Sequence, residues 1–326
     1  MKFCIFGAGA IGGLVGAHLA RIGEDVTLIA RGPHLAAMRE HGLKVSGHSG
    51  DFTVKPRATD NPAEAGPQDY VIVALKAHSV APIAEQMKPL LGPKTAVVMA
   101  VNGVPWWYFY GLDGPLKDRR IPMIDPGDQQ WRHIGPERVI GCVVYPAAEV
   151  TAPGEIRHVE NDRFSLGEPD NARSERVLAL SKILASAGFK APVKTDIRTE
   201  IWVKLWGNVA FNPISALTGG TLKSICTDRM TRATARAVMA EAEAIANKLG
   251  ITMPLAVDKR IDGAAAVGEH KTSMLQDLES GRPLELESIA GAVVELGSKL
   301  GIPLPSTQAV YACVKLLQRK GAEAQR

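Results

Sequence analysis

No stretch of this chain approaches the roughly 18 uninterrupted apolar residues that a membrane span requires, although 46% of its 326 residues are hydrophobic. Cysteine is scarce: Cys4, Cys142, Cys226 and Cys313 stand far apart with no C-x-x-C pair. That spacing excludes a zinc ribbon or a disulfide framework and leaves reduced, buried thiols as the expectation, with no metal. Charge of one sign is missing as well. Lys and Arg total 38 against 34 Asp and Glu, so the net +4 comes without the basic blocks of a nucleic-acid binder. A mild positive excess suits an anionic small molecule. The N-terminal segment lacks the features of a signal peptide, because glycines and His18 break its apolar run and no small-residue cleavage site follows. The expected protein is cytoplasmic, takes a small-molecule substrate, and binds neither nucleic acid nor membrane.

What is present is an alternation. Up to about residue 195 short β-rich runs ("KFCIF", "DVTLI", "DYVIVAL", "TAVVMAV", "RVIGCVVY") alternate with helical stretches, a pattern that predicts a parallel sheet with helices on its faces. Beyond Thr195 long amphipathic segments dominate: "DIRTEIWVKLWGNVAFN", "TRATARAVMAEAEAIANKLG", "ELESIAGAVVELGSKLG" and "TQAVYACVKLLQR". The expected division is a sheet domain over residues 1–195 and an all-helical domain over 196–326, with the boundary in "KAPVKTD" where Pro192 ends one pattern and Asp196 can cap the next helix. The residues after Gln318, "RKGAEAQR", read as a frayed, solvated tail.

The first strand runs directly into Gly7-Ala8-Gly9-Ala10-Ile11-Gly12, a G-x-G-x-x-G loop followed by an amphipathic helix from Ala10 to Ile22. Strand, loop, helix and second strand in that order are the setting in which the motif binds a dinucleotide. Gly7 permits the tight bend, Gly9 lets a pyrophosphate approach the backbone, and Gly12 lets the helix lie close to the strand; the helix N-terminus faces the phosphates. The first domain is therefore a Rossmann-type, doubly wound sheet. An NAD site places Asp or Glu at the tip of the second strand, whereas "VTLIAR" ends in Ala30 and Arg31. A guanidinium there suits a ribose 2′-phosphate, so NADP(H) is the expected cofactor. Ligands of such sheets sit outside the carboxyl ends of the strands, where two further runs deliver Lys76 and Asn102-Gly103. Lys76 would meet phosphate or ribose oxygens, and Asn102 offers a donor and an acceptor near the nicotinamide end.

In "TEIWVKLWGNVAFNP", Glu200, Lys204, Asn208 and Asn212 recur every four residues and form one polar stripe on an otherwise apolar helix. A helix apolar nearly all round is buried, so a Lys and two Asn on it must find polar partners or line a cavity; the alternative is a solvated outer face. A second polar cluster, Ser273, Asp277, Glu285 and Glu287, surrounds the Gly281-Arg282-Pro283 turn. Helix capping accounts for such residues equally well.

Taken together, "GAGAIGG", Arg31, "ALKAHS", "NG" at Asn102, "KLWGNVAFNP" and "SMLQDLESGRPLELESIAG" resemble the ketopantoate reductase family, over nearly the whole chain. The resemblance implies NADPH-dependent reduction of a 2-keto acid, 2-dehydropantoate to pantoate, in a cleft between a Rossmann domain and a helical domain, and a homodimer. It assigns Arg31 to the adenosine 2′-phosphate, the loop Gly7 to Gly12 to the pyrophosphate, and Lys76 and Asn102 to the ribose and nicotinamide side. Lys204 becomes the proton donor to the carbonyl oxygen. Asn208, Asn212 and Ser273, with Asn102 and Lys204, bind the substrate, and Glu285 meets the nicotinamide ribose and helps position Lys204. Hydride addition puts negative charge on oxygen, which an adjacent ammonium both stabilises and protonates. One departure is the connection over residues 104–134, longer and more aromatic than usual, with five consecutive aromatics from Trp106 to Tyr110. It either packs onto the body of the protein or roofs the active site, where it would favour a bulkier keto acid. A non-catalytic NADPH-binding sensor is the rival from another class.

Overall fold

β-branched apolar runs become strands and the longer periodic stretches become helices in a computed structural model of the chain, which describes residues 1–324. It divides into two compact units. The first comprises Met1–Val101 and Pro105–Ile197; the second takes Asn102–Val104 together with the chain from Arg198 onward. The three residues Asn102–Val104 thus group with the helices although they lie inside the sequence of the sheet unit.

The first unit opens with β1 (Lys2–Phe6), α1 (Ala10–Arg21), β2 (Asp25–Ile29), α2 (Gly32–His41), β3 (Leu43–Gly47), β4 (Phe52–Val54), β5 (Arg57–Thr59), β6 (Gln68–Val73) and β7 (Leu91–Met99). It continues through a short α3 (Gln129–His133), β8 (Val139–Val144), β9 (Ala147–Ala152), β10 (Glu155–Glu160), β11 (Phe164–Gly167) and α4 (Glu175–Ser186). Seven strands form the main sheet in the order β11-β8-β7-β6-β1-β2-β5. All are parallel except β11, which runs antiparallel to β8. Strand order reverses beside β1, so the loop after β1 opens at the point where a doubly wound sheet takes its ligand.

A second sheet, β4-β3-β10-β9, was not expected from the sequence. It covers α1 on the side away from the main sheet, and Leu43, Val45 and Ile156 join Leu14, Phe3 and Ile5 in one core. For that reason α1 is not the amphipathic helix its pattern suggests: Gly12 to Leu19 are all buried. The aromatic run is packing material within the first unit. Trp106, Trp107, Tyr108 and Phe109 are buried, and the Trp107 ring lies so close to Gly141 of β8 that a methyl there would stand 2.8 Å from its Cη2. Arg120 stacks over Trp131 at 3.3 Å.

The second unit contains α5 (Ile197–Thr218), α6 (Leu222–Thr227), α7 (Arg229–Lys248), α8 (Val257–Ala266), α9 (Ser273–Glu279), a π-helical turn (Glu287–Gly291), α10 (Ala292–Leu300) and α11 (Pro305–Ala324). Asp228 caps α7 by accepting from the Met230 and Thr231 backbone N–H groups. The expected frayed tail is instead helical: α11 runs on through the residues after Gln318 to Ala324, because Arg319, Lys320, Ala322 and Glu323 are good helix formers and outweigh Gly321 between them. The last two residues of that expectation, Gln325 and Arg326, lie outside the described residues. The thiols divide as well. Cys4, Cys142 and Cys226 are buried, whereas Cys313 is exposed on α11. Burial pushes the Cys4 thiol up to about 12. Among the described residues no helix is long and apolar enough to cross a membrane, and no group of three or more His, Cys, Asp or Glu is placed to hold a metal.

Candidate active site

The first unit gathers its predicted residues along one edge of the sheet. Lys76 follows β6, the glycine loop follows β1 and Arg31 follows β2, and these three strands are adjacent. In the loop, Gly7 takes φ +101, and a methyl at Gly12 would overlap the Gly7 carbonyl oxygen. Ala8 is buried, and its N–H donates to the Ile29 carbonyl at 2.9 Å. Gly9 is exposed and is the N-cap of α1, with no side-chain cap and no acidic residue in the first turn. Nothing lies within 4 Å of where its side chain would project. The N–H groups at the start of α1, including those of Ala10 and Ile11, therefore border open space at the positive end of a helix, an arrangement that takes a phosphate. The donor set fits a dinucleotide pyrophosphate. Arg31, exposed, is the N-cap of α2, and Lys76, half-buried, precedes a single 3-10 turn, Ala77–Ser79.

The second unit gathers three others. Lys204 on α5 donates from Nζ to Asn102 Oδ1 at 2.8 Å, and Asn102 Nδ2 donates to Glu285 Oε2 at 3.2 Å. The two charges fix the amide's orientation, since the reverse flip would turn NH₂ toward an ammonium and oxygen toward a carboxylate. Glu285 is buried, with 6% exposure, and Lys204 is half-buried. Asn208 and Asn212 follow Lys204 at four-residue steps on α5, the former half-buried and the latter buried. The stripe is thus no solvated outer face. Ser273 is exposed at the first position of α9 and takes no part in the Lys204–Asn102–Glu285 chain. Of its cluster, Asp277 pairs with Arg282 at 2.9 Å across the turn, and Glu287 accepts from the Tyr311 hydroxyl at 2.7 Å. Both serve structure.

Three features of the site escaped the sequence. The Ser288 carbonyl, in the π turn, accepts from the Val104 N–H at 2.9 Å, and a methyl on Gly103 (φ +91) would overlap that same oxygen. The π turn thereby pins Asn102–Val104 beside Glu285. Arg260 of α8 lays its guanidinium on Gly207, 2.7 Å from where a methyl would stand. Gly207 follows Lys204 by three residues and so shares its helix face. His34 of α2 bonds to the glycine loop, at Ala8 O. The Gly103 and Gly207 positions carried a signal in hindsight, a glycine next to a polar site residue; His34 carried none.

A doubly wound sheet with a phosphate-ready loop, joined to a helical unit that holds a lysine against a half-buried amide and, beyond it, a buried carboxylate, defines a Rossmann-type oxidoreductase dependent on a nicotinamide cofactor. The family model described as "Ketopantoate reductase PanE/ApbA" matches residues 3–171, and "Ketopantoate reductase PanE/ApbA C terminal" matches residues 196–318. The chain belongs to the ketopantoate reductase family. It is 56% identical over 318 residues to a 2-dehydropantoate 2-reductase of Mesorhizobium japonicum, covering 97% of this chain and 98% of that one. A solved structure from Ralstonia solanacearum MolK2 superposes with TM-score 0.94 at 39% identity, covering 98% of each chain. The 2-dehydropantoate 2-reductase from Geobacter metallireducens GS-15 does so with TM-score 0.85 at 30% identity, over 97% of this chain and all of that one.

Proposed function

We propose that the protein reduces 2-dehydropantoate to pantoate with NADPH, with Lys204 as the proton donor. The observation that carries this reading is the chain from Lys204 Nζ through Asn102 to buried Glu285. An ammonium carries three hydrogens, and the one bonded to Asn102 sets its direction. Presented to a carbonyl oxygen, Nζ stabilises the developing alkoxide and transfers a proton to it. Glu285 acts on Lys204 through the neutral amide of Asn102. Asn208, Asn212 and Ser273 supply neutral donors to the substrate's hydroxyl and carboxylate, and Arg260 adds a cation on the Lys204 face of α5.

The nicotinamide supplies the hydride when the cofactor is bound. This chain's residues hold and select it: the N–H groups at the start of α1 receive the pyrophosphate, Lys76 meets ribose or phosphate oxygens, and Arg31 receives the 2′-phosphate. The wording of the relatives' names supports the substrate, and the absence of an acid at the end of β2 supports the phosphorylated cofactor. The test is NADPH oxidation at saturating 2-dehydropantoate. The native chain turns over, and Lys204→Ala loses about 10²- to 10⁴-fold in kcat, the range for a positioned acid. A native chain that binds NADPH but oxidises it with no keto acid removes the reading.

A further inference from the structure

The imidazole of His34 joins the glycine loop to the second sheet. Its Nδ1 lies 2.9 Å from the Gly154 backbone nitrogen, and its Nε2 lies 2.8 Å from the Ala8 carbonyl oxygen. A backbone N–H can only donate, so Nδ1 accepts and the ring proton sits on Nε2, donating to Ala8. Gly154 is itself fixed, because its carbonyl accepts from the Lys44 N–H of β3 at 2.9 Å. The other end of the Ala8 residue is tied too, by its N–H to Ile29. The peptide joining Ala8 to Gly9 is planar and trans, so its C=O and N–H point in opposite directions. Turning the Ala8 carbonyl toward His34 turns the Gly9 N–H the other way, at an exposed residue with nothing within 4 Å of where its side chain would project.

We propose that His34 is a positioning residue for the cofactor: it sets the Ala8–Gly9 peptide so that the Gly9 N–H is presented to the dinucleotide pyrophosphate. The inference rests on the dinucleotide reading of the loop and is independent of which keto acid is reduced. His34 and Arg31 stand on the first turn of the same helix, yet they act on different parts of the ligand. Arg31 addresses a phosphate that only NADP(H) carries. The pyrophosphate served through His34 is common to NADPH and NADH.

That difference supplies the test, with binding of NADPH and of NADH followed separately by nucleotide fluorescence on the full chain. His34→Ala is expected to weaken both nucleotides by the same factor, on the order of tenfold for one misaligned hydrogen bond to a charged group. Arg31→Ala weakens NADPH alone. His34→Gln, whose amide N–H can reach the Ala8 carbonyl, is expected to recover most of the loss. In turnover, the effect of His34→Ala falls on the KM for the nucleotide, with kcat at saturating nucleotide within about twofold of native. Circular dichroism and thermal melting of each variant without nucleotide show whether it is folded. A folded His34→Ala chain that binds both nucleotides like the native one overturns the proposal, as does a loss confined to NADPH or a failure of His34→Gln to recover more than His34→Ala. If the native chain binds neither nucleotide, the reading of the loop falls and this proposal with it.

Discussion

Asn102 stands between a cation and an anion, and its usefulness lies in being neutral. Its amide accepts from Lys204 and donates to Glu285, a relay that neither an acid nor an alkyl group reproduces. Asn102→Ala removes this acceptor and, with it, the link from the ammonium to Glu285; kcat is expected to fall roughly 10- to 100-fold, the cost of about 1.5–3 kcal/mol for a hydrogen bond to a charged group. Steady-state rates at saturating keto acid and NADPH check it, and an unchanged kcat would show that Lys204 needs no orientation. Arg31 is the counterpart in the first unit. Arg31→Ala is expected to raise the KM for NADPH by about tenfold or more while the KM for NADH stays put. Equal effects on both cofactors would show that the guanidinium does not read the 2′-phosphate. Both side chains were legible in the sequence as polar residues where strands end. The order of the relay, lysine to amide to carboxylate, was not, since Asn102 and Glu285 are 183 positions apart and only folding brings them together.

The elements whose hydrophobic period is long and clean, β1, β2, β6, β7 and the longer helices α5, α7, α10 and α11 of the second unit, could be read directly. The four-stranded second sheet could not: its strands are short, with β4 only three residues long and β9 without a buried residue, so they leave almost no periodic trace. The same omission explains α1, whose buried far side makes sense only once a layer lies over it. Least legible of all is the π turn, a departure from α geometry that no residue type announces. Its carbonyl at Ser288 is what holds Val104 and crowds Gly103. Gly103→Ala places a methyl on that oxygen and imposes φ +91 on a residue with a Cβ, and is expected to cost about 1–3 kcal/mol in urea unfolding together with a marked fall in kcat. Because Gly103 adjoins Asn102, stability and activity decline together. A Gly103→Ala chain with native kcat would detach the π turn from the site.

Across the layers of the first unit, one buried imidazole makes stability depend on pH. His18 of α1 packs between the Phe52 and Phe189 rings, at 5.0 and 4.7 Å. Its Nδ1 meets the Ala187 carbonyl at 2.8 Å and its Nε2 the Ser49 hydroxyl at 3.1 Å. It thus ties α1 to the second sheet and to the residue that ends α4. Burial chiefly, with smaller contributions from His158 and Arg21, holds its pKa below the ordinary value, against an upward pull from the Ala187 bond. The sign follows from proton counts: between the two pKa values the unfolded chain binds a proton that the folded chain refuses, so stability rises with pH in that interval. Above about 6.5, the ordinary histidine value, the contribution is complete; as pH falls through that value toward the folded one it is lost, and below the folded value no more is lost. Urea midpoints from pH 8 to 5 should therefore fall for the native chain once pH drops below about 6.5. His18→Gln, which keeps a hydrogen-bonding side chain and has no proton to gain, should fall less over the same interval. Parallel pH curves for the two chains would mean that the folded protein accepts the proton on His18 without penalty, and that the aromatic layers around it are not as dry as their packing implies.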